Sequence, residues 1–290
     1  MSACPTLPPI RVDAHHHFWP EPTPEKYPWM TDAQAQIRRP FLPRDLAPHL
    51  KARAIERTVL VQTRSALDET REFLAVAGLT DFVAGVVGWV DLTAPDVAET
   101  LTALKTGPHG KWLVSIRHQA HDEPHPEWLA REDVRRGLRA VRDAELAYDL
   151  LVRPRELPAA LAVARELTDM RLVIDHIAKP PIATGELEPW ASWLAPFAEL
   201  EHVACTLSGM VTEADWRTWT ADDLRPYVER VLGWFGEDRV MYGSDWPVCE
   251  LAATYEQQHD ALDALTADLG APARAKLFGQ NAARFYRLPL

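Results

Sequence analysis

The sequence predicts an α/β fold of the (β/α)8 TIM-barrel type, and three observations carry that prediction. Eight short β-branched runs recur along the chain, amphipathic stretches with apolar residues every three or four positions lie between them, and polar residues appear abruptly where the runs end. Parallel strands need crossover connections, and helices must then cover the outer face of the sheet, so eight alternations favour closure into a barrel. An open doubly wound sheet is the main rival. It would bring a glycine-rich phosphate turn after the first strand, where this chain carries "HHHFW".

The first run, "IRVDAH", is followed by the proline-rich segment "EPTPEKYPWMTDAQAQIRRPFLPRD", expected to loop over one barrel end. "RTVLVQ" leads into the helical pattern "DETREFLAVAGL", and "VAGVVGWVD" into a helix start at Thr93, spaced from Asp96 like a hydroxyl cap and an acidic third helical residue. "LVSIRH" precedes the helix "EDVRRGLRAVRDA", and "YDLLVR" precedes "ELPAALAVARELT". After "LVIDH" and "VACTLSG" comes "DDLRPYVERVLGWF", where Thr220 and Asp223 repeat the cap spacing, and "VMYGSD" is last. No exact internal repeat is present. One barrel domain over residues 1–290 accommodates all of it.

Apolar residues at 47% and charged residues at 25% give enough material for a large core in a globular chain. A formal net charge of -11 disfavours nucleic acid and anionic membranes as partners, although a local basic pocket can still hold a small anion. No basic start precedes an apolar run and the longest apolar stretch, "FVAGVVGWV", is too short to span a bilayer, so a cytoplasmic protein is expected. Cys4, Cys205 and Cys249 are scattered and odd in number, which fits reduced thiols better than disulfides. A homo-oligomer is compatible with everything above.

In a parallel barrel the reactive site lies at the carboxyl ends of the strands. The polar residues there are Asp13, His15 and His17, then Gln62, Trp89 and Asp91, then Arg117 and His118, Asp149 and Arg153, Asp175 and His176, Ser208, and Asp245 with Trp246. His15 and His17 are two apart, so on an extended chain they share one face while His16 faces the other. Two neutral imidazoles begin a zinc site, with His176 and Asp245 available to complete it; the bland reading is hydrogen bonding in a polar loop. Asp245 precedes a Trp-Pro corner that would shield it and raise its proton affinity, suiting a general base; it could also simply cap the next turn. Arg117 offers a planar donor fork for a carbonyl oxygen or carboxylate, against the alternative of an exposed ion pair. His118 is expected to point opposite to Arg117. His121 and His125 read as solvated loop residues, with lining the entrance as the lesser alternative, and Trp112, Trp193 and Trp234 as packing. Trp19, Trp29, Trp89 and Trp246 lie near strand ends, where a flat apolar wall would suit a ring.

Ten motifs in order, "VDAHHHFW", "YPWM", "TVLVQ", "GVVGWVDL", "IRHQAHDEP", "DLLVRP", "LVIDHIAKP", "TLSGMVTEADW", "GSDWPVC" and "NAARFY", resemble the amidohydrolase superfamily from about Arg11 to Tyr286. The branch they resemble most is that of the sugar-lactone hydrolases. The resemblance implies a distorted (β/α)8 barrel and hydrolysis of a cyclic ester, with His15, His17, His176 and Asp245 as a site that works either as a divalent-metal centre, zinc by ligand type, or as a metal-free acid–base cluster. By the same resemblance Gln62, Arg117 and Trp246 line a small-molecule lactone; Trp89 and His118 join them by strand-end position, and the reading that follows makes Asp245, His176 and Arg117 catalytic. One departure stands out: Thr206 sits where relatives carry a lysine, which would alter the hydroxyl or anion pattern accepted. Two rivals share the scaffold or the pocket: a metal-dependent decarboxylase or amide hydrolase, and a non-catalytic sugar-acid binding protein.

Overall fold

The computed structural model describes residues 10–289; Cys4 lies outside them. Its eight strands are β1 (Val12–His16), β2 (Arg57–Val61), β3 (Val83–Gly88), β4 (Leu113–His118), β5 (Ala147–Leu150), β6 (Leu172–Ile174), β7 (Val203–Leu207) and β8 (Val240–Tyr242). They coincide with the eight β-branched runs and pair in sequence order, each neighbour parallel. The barrel closes along a seam just beyond β8. There His16 bridges Trp246, the His17 N–H donates to the Trp246 carbonyl at 2.7 Å, and the Asp245 N–H donates to the His15 carbonyl at 2.8 Å.

Alternation along the strands divides the apolar residues between two cores. Val59, Val61, Val173, Ala204 and Met241 fill the barrel interior, where Ala282 and Tyr286 join them. Leu60, Leu172, Ile174, Val203, Cys205 and Tyr242 face the surrounding helices. On β1 the register shifts between Asp13 and His16, so this strand departs from strict alternation just where its polar residues begin.

Helices at Leu67–Leu79, Glu132–Asp143, Leu157–Glu166 and Ala221–Phe235 match the amphipathic stretches. In the second of these Val134, Gly137, Leu138 and Val141 are buried, the three-and-four spacing that covers a sheet. Asp223 accepts the Thr220 N–H at 2.7 Å, as its cap spacing predicts. Thr93 does not cap a helix. Its hydroxyl and N–H both bond Asp91 Oδ1, at 2.7 and 2.9 Å, and the helix begins only at Val97. Asp91 is thereby committed to a turn. The proline-rich segment folds over the carboxyl ends of the strands, tied by a Trp19–Phe41 bridge and containing a short helical turn, Asp32–Ile37, capped by Thr31. Among the described residues no helix is long and apolar enough to cross a membrane.

Candidate active site

The carboxyl ends of β1, β6 and β8 bring three imidazoles to one carboxylate oxygen. His17 Nε2 stands 3.2 Å, His176 Nε2 3.9 Å and His15 Nε2 4.0 Å from Asp245 Oδ1, and all four residues are buried. His16 faces the other way, as strand alternation requires, bonding Thr58 Oγ1 at 2.8 Å and packing on Phe18. The chain reaches Asp245 with φ +55, a left-handed conformation that costs a non-glycine residue about 1 kcal/mol or more. Burial works against the charge on Asp245, yet the His17 hydrogen bond and neighbouring positive charge hold its pKa below the usual carboxylate value. This corrects the expectation of a raised proton affinity: the Trp-Pro corner shields Asp245, but the histidines outweigh the shielding. Burial, first among the causes, lowers the pKa of His15 and puts that of His176 well below the ordinary imidazole value, which favours the neutral ring in both.

His176 is delivered by an unusual backbone. Four consecutive non-glycine residues after β6, His176 to Lys179, have φ between +49 and +59, one left-handed turn closed by the Lys179 N–H on the His176 carbonyl at 2.8 Å. The turn is anchored on both sides. The His176 N–H donates to Thr206 Oγ1 at 3.0 Å, and Trp190 Nε1 donates to the Ile177 carbonyl at 2.6 Å. Thr206 also donates to the Ile174 carbonyl at 3.4 Å, so Ser208, 2.8 Å away, is left to donate to Thr206. The Ser208 oxygen then accepts from His176 Nδ1 at 2.8 Å, which keeps the proton on Nδ1 and turns the Nε2 lone pair toward Asp245. Gly209, at φ +60, lets this loop approach: a Cβ there would lie 2.6 Å from His176 Nδ1. Thr206 is therefore a buried support of His176 and does not face the cavity, contrary to its reading as a selector of substrate groups.

Arg117 reaches the base of the cavity, buried, with every N–H engaged. Nε and Nη2 donate to Gln62 Oε1 at 3.2 and 3.0 Å, Nη2 also donates to the Gln62 carbonyl, and Nη1 donates to Asp175 Oδ2 at 2.9 Å and His15 Nε2 at 3.1 Å. The guanidinium donors meet four protein acceptor atoms, with Gln62 Oε1 shared by Nε and Nη2. Gln62 thus stands behind Arg117 and outside the cavity lining. His118 points opposite to Arg117, as expected, and so also leaves the cavity: Nδ1 accepts from Trp89 Nε1 at 2.9 Å, Nε2 faces Glu123 at 2.8 Å, and the ring stacks on Trp128 at 4.1 Å. Trp246 packs edge-on against Phe41 and bonds Glu250. Gln62, Trp89, His118 and Trp246, read as lining the substrate, all stand one layer behind it. Asp13 braces the seam, accepting from the Ser244 N–H at 2.8 Å and the Tyr255 hydroxyl at 3.1 Å, while Asp149 accepts from Ser115 and Tyr286 at the barrel floor.

A cavity of about 480 Å³ opens above the cluster. His17, Arg117, His176 and Asp245 form its base, and Trp29 and Gln34 of the proline-rich segment border it. Arg153, a strand-end candidate, borders it as well. Sequence reasoning missed Lys179, Glu213 and Trp216, and read His121 as a solvated loop residue, although all four line the cavity. The motifs "LVIDHIAKP" and "TLSGMVTEADW" contain three of them. A cavity of similar size between the helices Leu67–Leu79 and Val97–Thr106 is lined by none of the strand-end histidines.

The cluster fits a divalent cation. His17 Nδ1 donates to the Val61 carbonyl at 2.7 Å, so in a neutral ring the Nε2 lone pair meets the Asp245 carboxylate oxygen at 3.2 Å. Either a second ring proton, which makes the His17–Asp245 hydrogen bond, or a cation between the two atoms satisfies that contact. With Nε2 accepting from Arg117, His15 Nδ1 carries the ring proton and faces Asp175 Oδ1 at 3.4 Å, a long contact in which both atoms are buried. Two overlapping groups, His15 with His17 and Asp245, and His15 with Asp175 and His176, bring ligand atoms within 4.8 Å of one another.

A parallel eight-stranded barrel with a polyhistidine–carboxylate site at its mouth is the architecture of a hydrolase-type barrel enzyme. The chain matches the amidohydrolase family over residues 12–288 and belongs to it. It is 40% identical to L-fucono-1,5-lactonase of Burkholderia ambifaria over 291 aligned positions, 96% of each chain, and 38% identical to L-fucono-1,5-lactonase of Burkholderia multivorans, 97% of each. Among solved structures, an amidohydrolase from Burkholderia multivorans superposes with a TM-score of 0.91 at 37% identity, covering 97% of this chain and 100% of that one, and one of its crystal forms contains bound zinc.

Proposed function

We propose that this protein hydrolyses the ring ester of a sugar-acid lactone of the L-fucono-1,5-lactone class. The observation that carries the reading is the convergence of His15, His17 and His176 on Asp245 at the base of an open cavity, in a chain 40% identical to an L-fucono-1,5-lactonase.

Asp245, held ionised by its histidine neighbours, accepts a proton from a water aimed at the lactone carbonyl. The water oxygen bonds to the carbonyl carbon, the ring C–O bond breaks, and the proton returns from Asp245 to the leaving alkoxide. His176, fixed as the Nδ1–H tautomer by Ser208, presents its Nε2 lone pair to orient that water. Arg117 contributes through its fixed positive charge near the developing oxyanion and by holding His15 and Asp175, since its N–H groups are already committed. His15, His17, His176 and Asp245 would hold a divalent cation, zinc by donor type, which when bound supplies Lewis acidity toward water and carbonyl.

A panel of aldonolactones followed with a pH indicator, with and without thorough chelation, tests the reading. One proton released per ring opened supports it. Absence of turnover for every sugar lactone by zinc-loaded protein refutes it, and activity that persists without metal leaves the acid–base cluster alone to account for catalysis.

A further inference from the structure

Lys179 ends the left-handed turn that begins at His176, and both side chains face the cavity. Residues three apart in a tight turn share a side, so the same strained backbone that presents a reactive-centre histidine also presents an ammonium. Such backbone persists only where the surroundings over-determine it. Ile177 and Ala178, fully buried between the two, supply that anchoring. From the loop after β7, Glu213 ends the short helix Met210–Glu213 and meets Lys179 Nζ at 2.8 Å, with side-chain exposures of only 15% for the lysine and 25% for the glutamate.

We infer that Lys179 and Glu213 form a zwitterionic clamp for the ring hydroxyls of an uncharged lactone and so set substrate specificity. This rests on the lactonase reading above and names the groups that recognise the polyol. The paired charges point to a neutral ligand. Lys179 is neutralised by Glu213 and Arg117 by Asp175, so the two buried cations beside the cluster are committed, and the one other lining cation, Arg153, is an exposed residue. The ammonium keeps two further N–H donors and the carboxylate keeps lone pairs, a donor–acceptor pair matched to vicinal hydroxyls, each of which can accept from one and donate to the other. Trp216, on the same wall, has given its indole N–H to the Thr212 carbonyl at 2.9 Å. What remains of it is an apolar ring face, suited to the C–H side of a sugar ring.

The test compares zinc-loaded protein with its Glu213→Gln and Lys179→Met variants on two six-membered lactones, L-fucono-1,5-lactone and the hydroxyl-free δ-valerolactone. The readout is the ratio of kcat/KM for the two substrates. A site built to bond hydroxyls by charged groups loses roughly tenfold or more per lost bond, so the ratio is expected to fall by about tenfold or more in Glu213→Gln, chiefly through KM. An unchanged ratio, with both lactones slowed equally or not at all, overturns the inference. Calorimetric titration with a 1,5-anhydro sugar alcohol, which has the hydroxyls but no ester, separates the clamp from the chemistry. Affinity weakened about tenfold in either variant supports the clamp even if the unaltered protein opens no lactone, the result that would sink the lactonase reading by itself. Equal affinity in all three proteins overturns it.

Discussion

The two ends of the histidine–aspartate cluster are presented in opposite ways. His15 and His17 come from the end of β1, where the ordinary period of a strand sends alternate side chains to one face. His176 comes from a left-handed turn of four non-glycine residues, each disfavoured by about 1–2 kcal/mol relative to right-handed backbone. The first presentation asks only for the register shift between Asp13 and His16. The second persists because Thr206, Trp190 and two fully buried apolar side chains hold it. The comparison teaches that the β1 side should lose activity only through its ligand atoms, whereas the β6 side should be sensitive to residues that touch no substrate.

The largest effects fall on the atoms at the centre. His15→Ala, His17→Ala and Asp245→Asn are each expected to reduce kcat by about 10²–10⁴-fold, measured on a good lactone, without a matching loss of thermal stability. Retained turnover in Asp245→Asn would break the assignment of the proton acceptor. Next comes Gly209→Ala on the β6 side, where the new Cβ would meet the His176 ring at 2.6 Å and the backbone must keep φ +60. Activity should fall at least about tenfold and Tm by several degrees.

Thr206→Val keeps shape but removes the acceptor for the His176 N–H. It should cost about 1–3 kcal/mol in chemical denaturation and weaken zinc affinity by about 10–100-fold, with Thr206→Ser restoring both. A Val variant with unaltered metal affinity would show that the turn is held elsewhere. His121 gives a pH test. Its burial, aided by Lys179, Arg153 and Arg117, lowers its pKa from 6.5 to about 3. The unfolded chain therefore takes up a proton below pH 6.5 that the folded chain refuses, and stability falls as pH drops from about 6.5 toward 3. His121→Gln should flatten the dependence of Tm on pH in that window. The smallest effect is expected at His16, which bonds Thr58 on the opposite face: His16→Gln should stay within about threefold in kcat/KM. Equal losses from His15, His16 and His17 variants would abolish the contrast between the two faces of β1.

The barrel was legible because alternation, helix period and crossover logic agree over all eight runs, and the Thr220–Asp223 spacing acts within one turn. Thr93 failed because Asp91, two residues upstream, competes for its hydroxyl. The His15, His17, His176 and Asp245 cluster was legible because every member sits where a strand ends. Lys179, Glu213 and Trp216 were not, because they lie beyond strand ends on backbone whose direction depends on a left-handed turn that no periodicity encodes. Trp246 and His118 were misjudged for the complementary reason: the strand end was right, but the facing side was already taken by Asp245 and Arg117.

The seam gives the barrel a further property. The backbone bonds that join the first strand to the chain after the last one flank the same residues that meet at Asp245. A partly wound sheet consequently has no reaction centre, whatever number of its helices are in place. Turnover regained during refolding would then time one event, the meeting of the two ends of the sheet, and catalysis becomes its own reporter of topological completion.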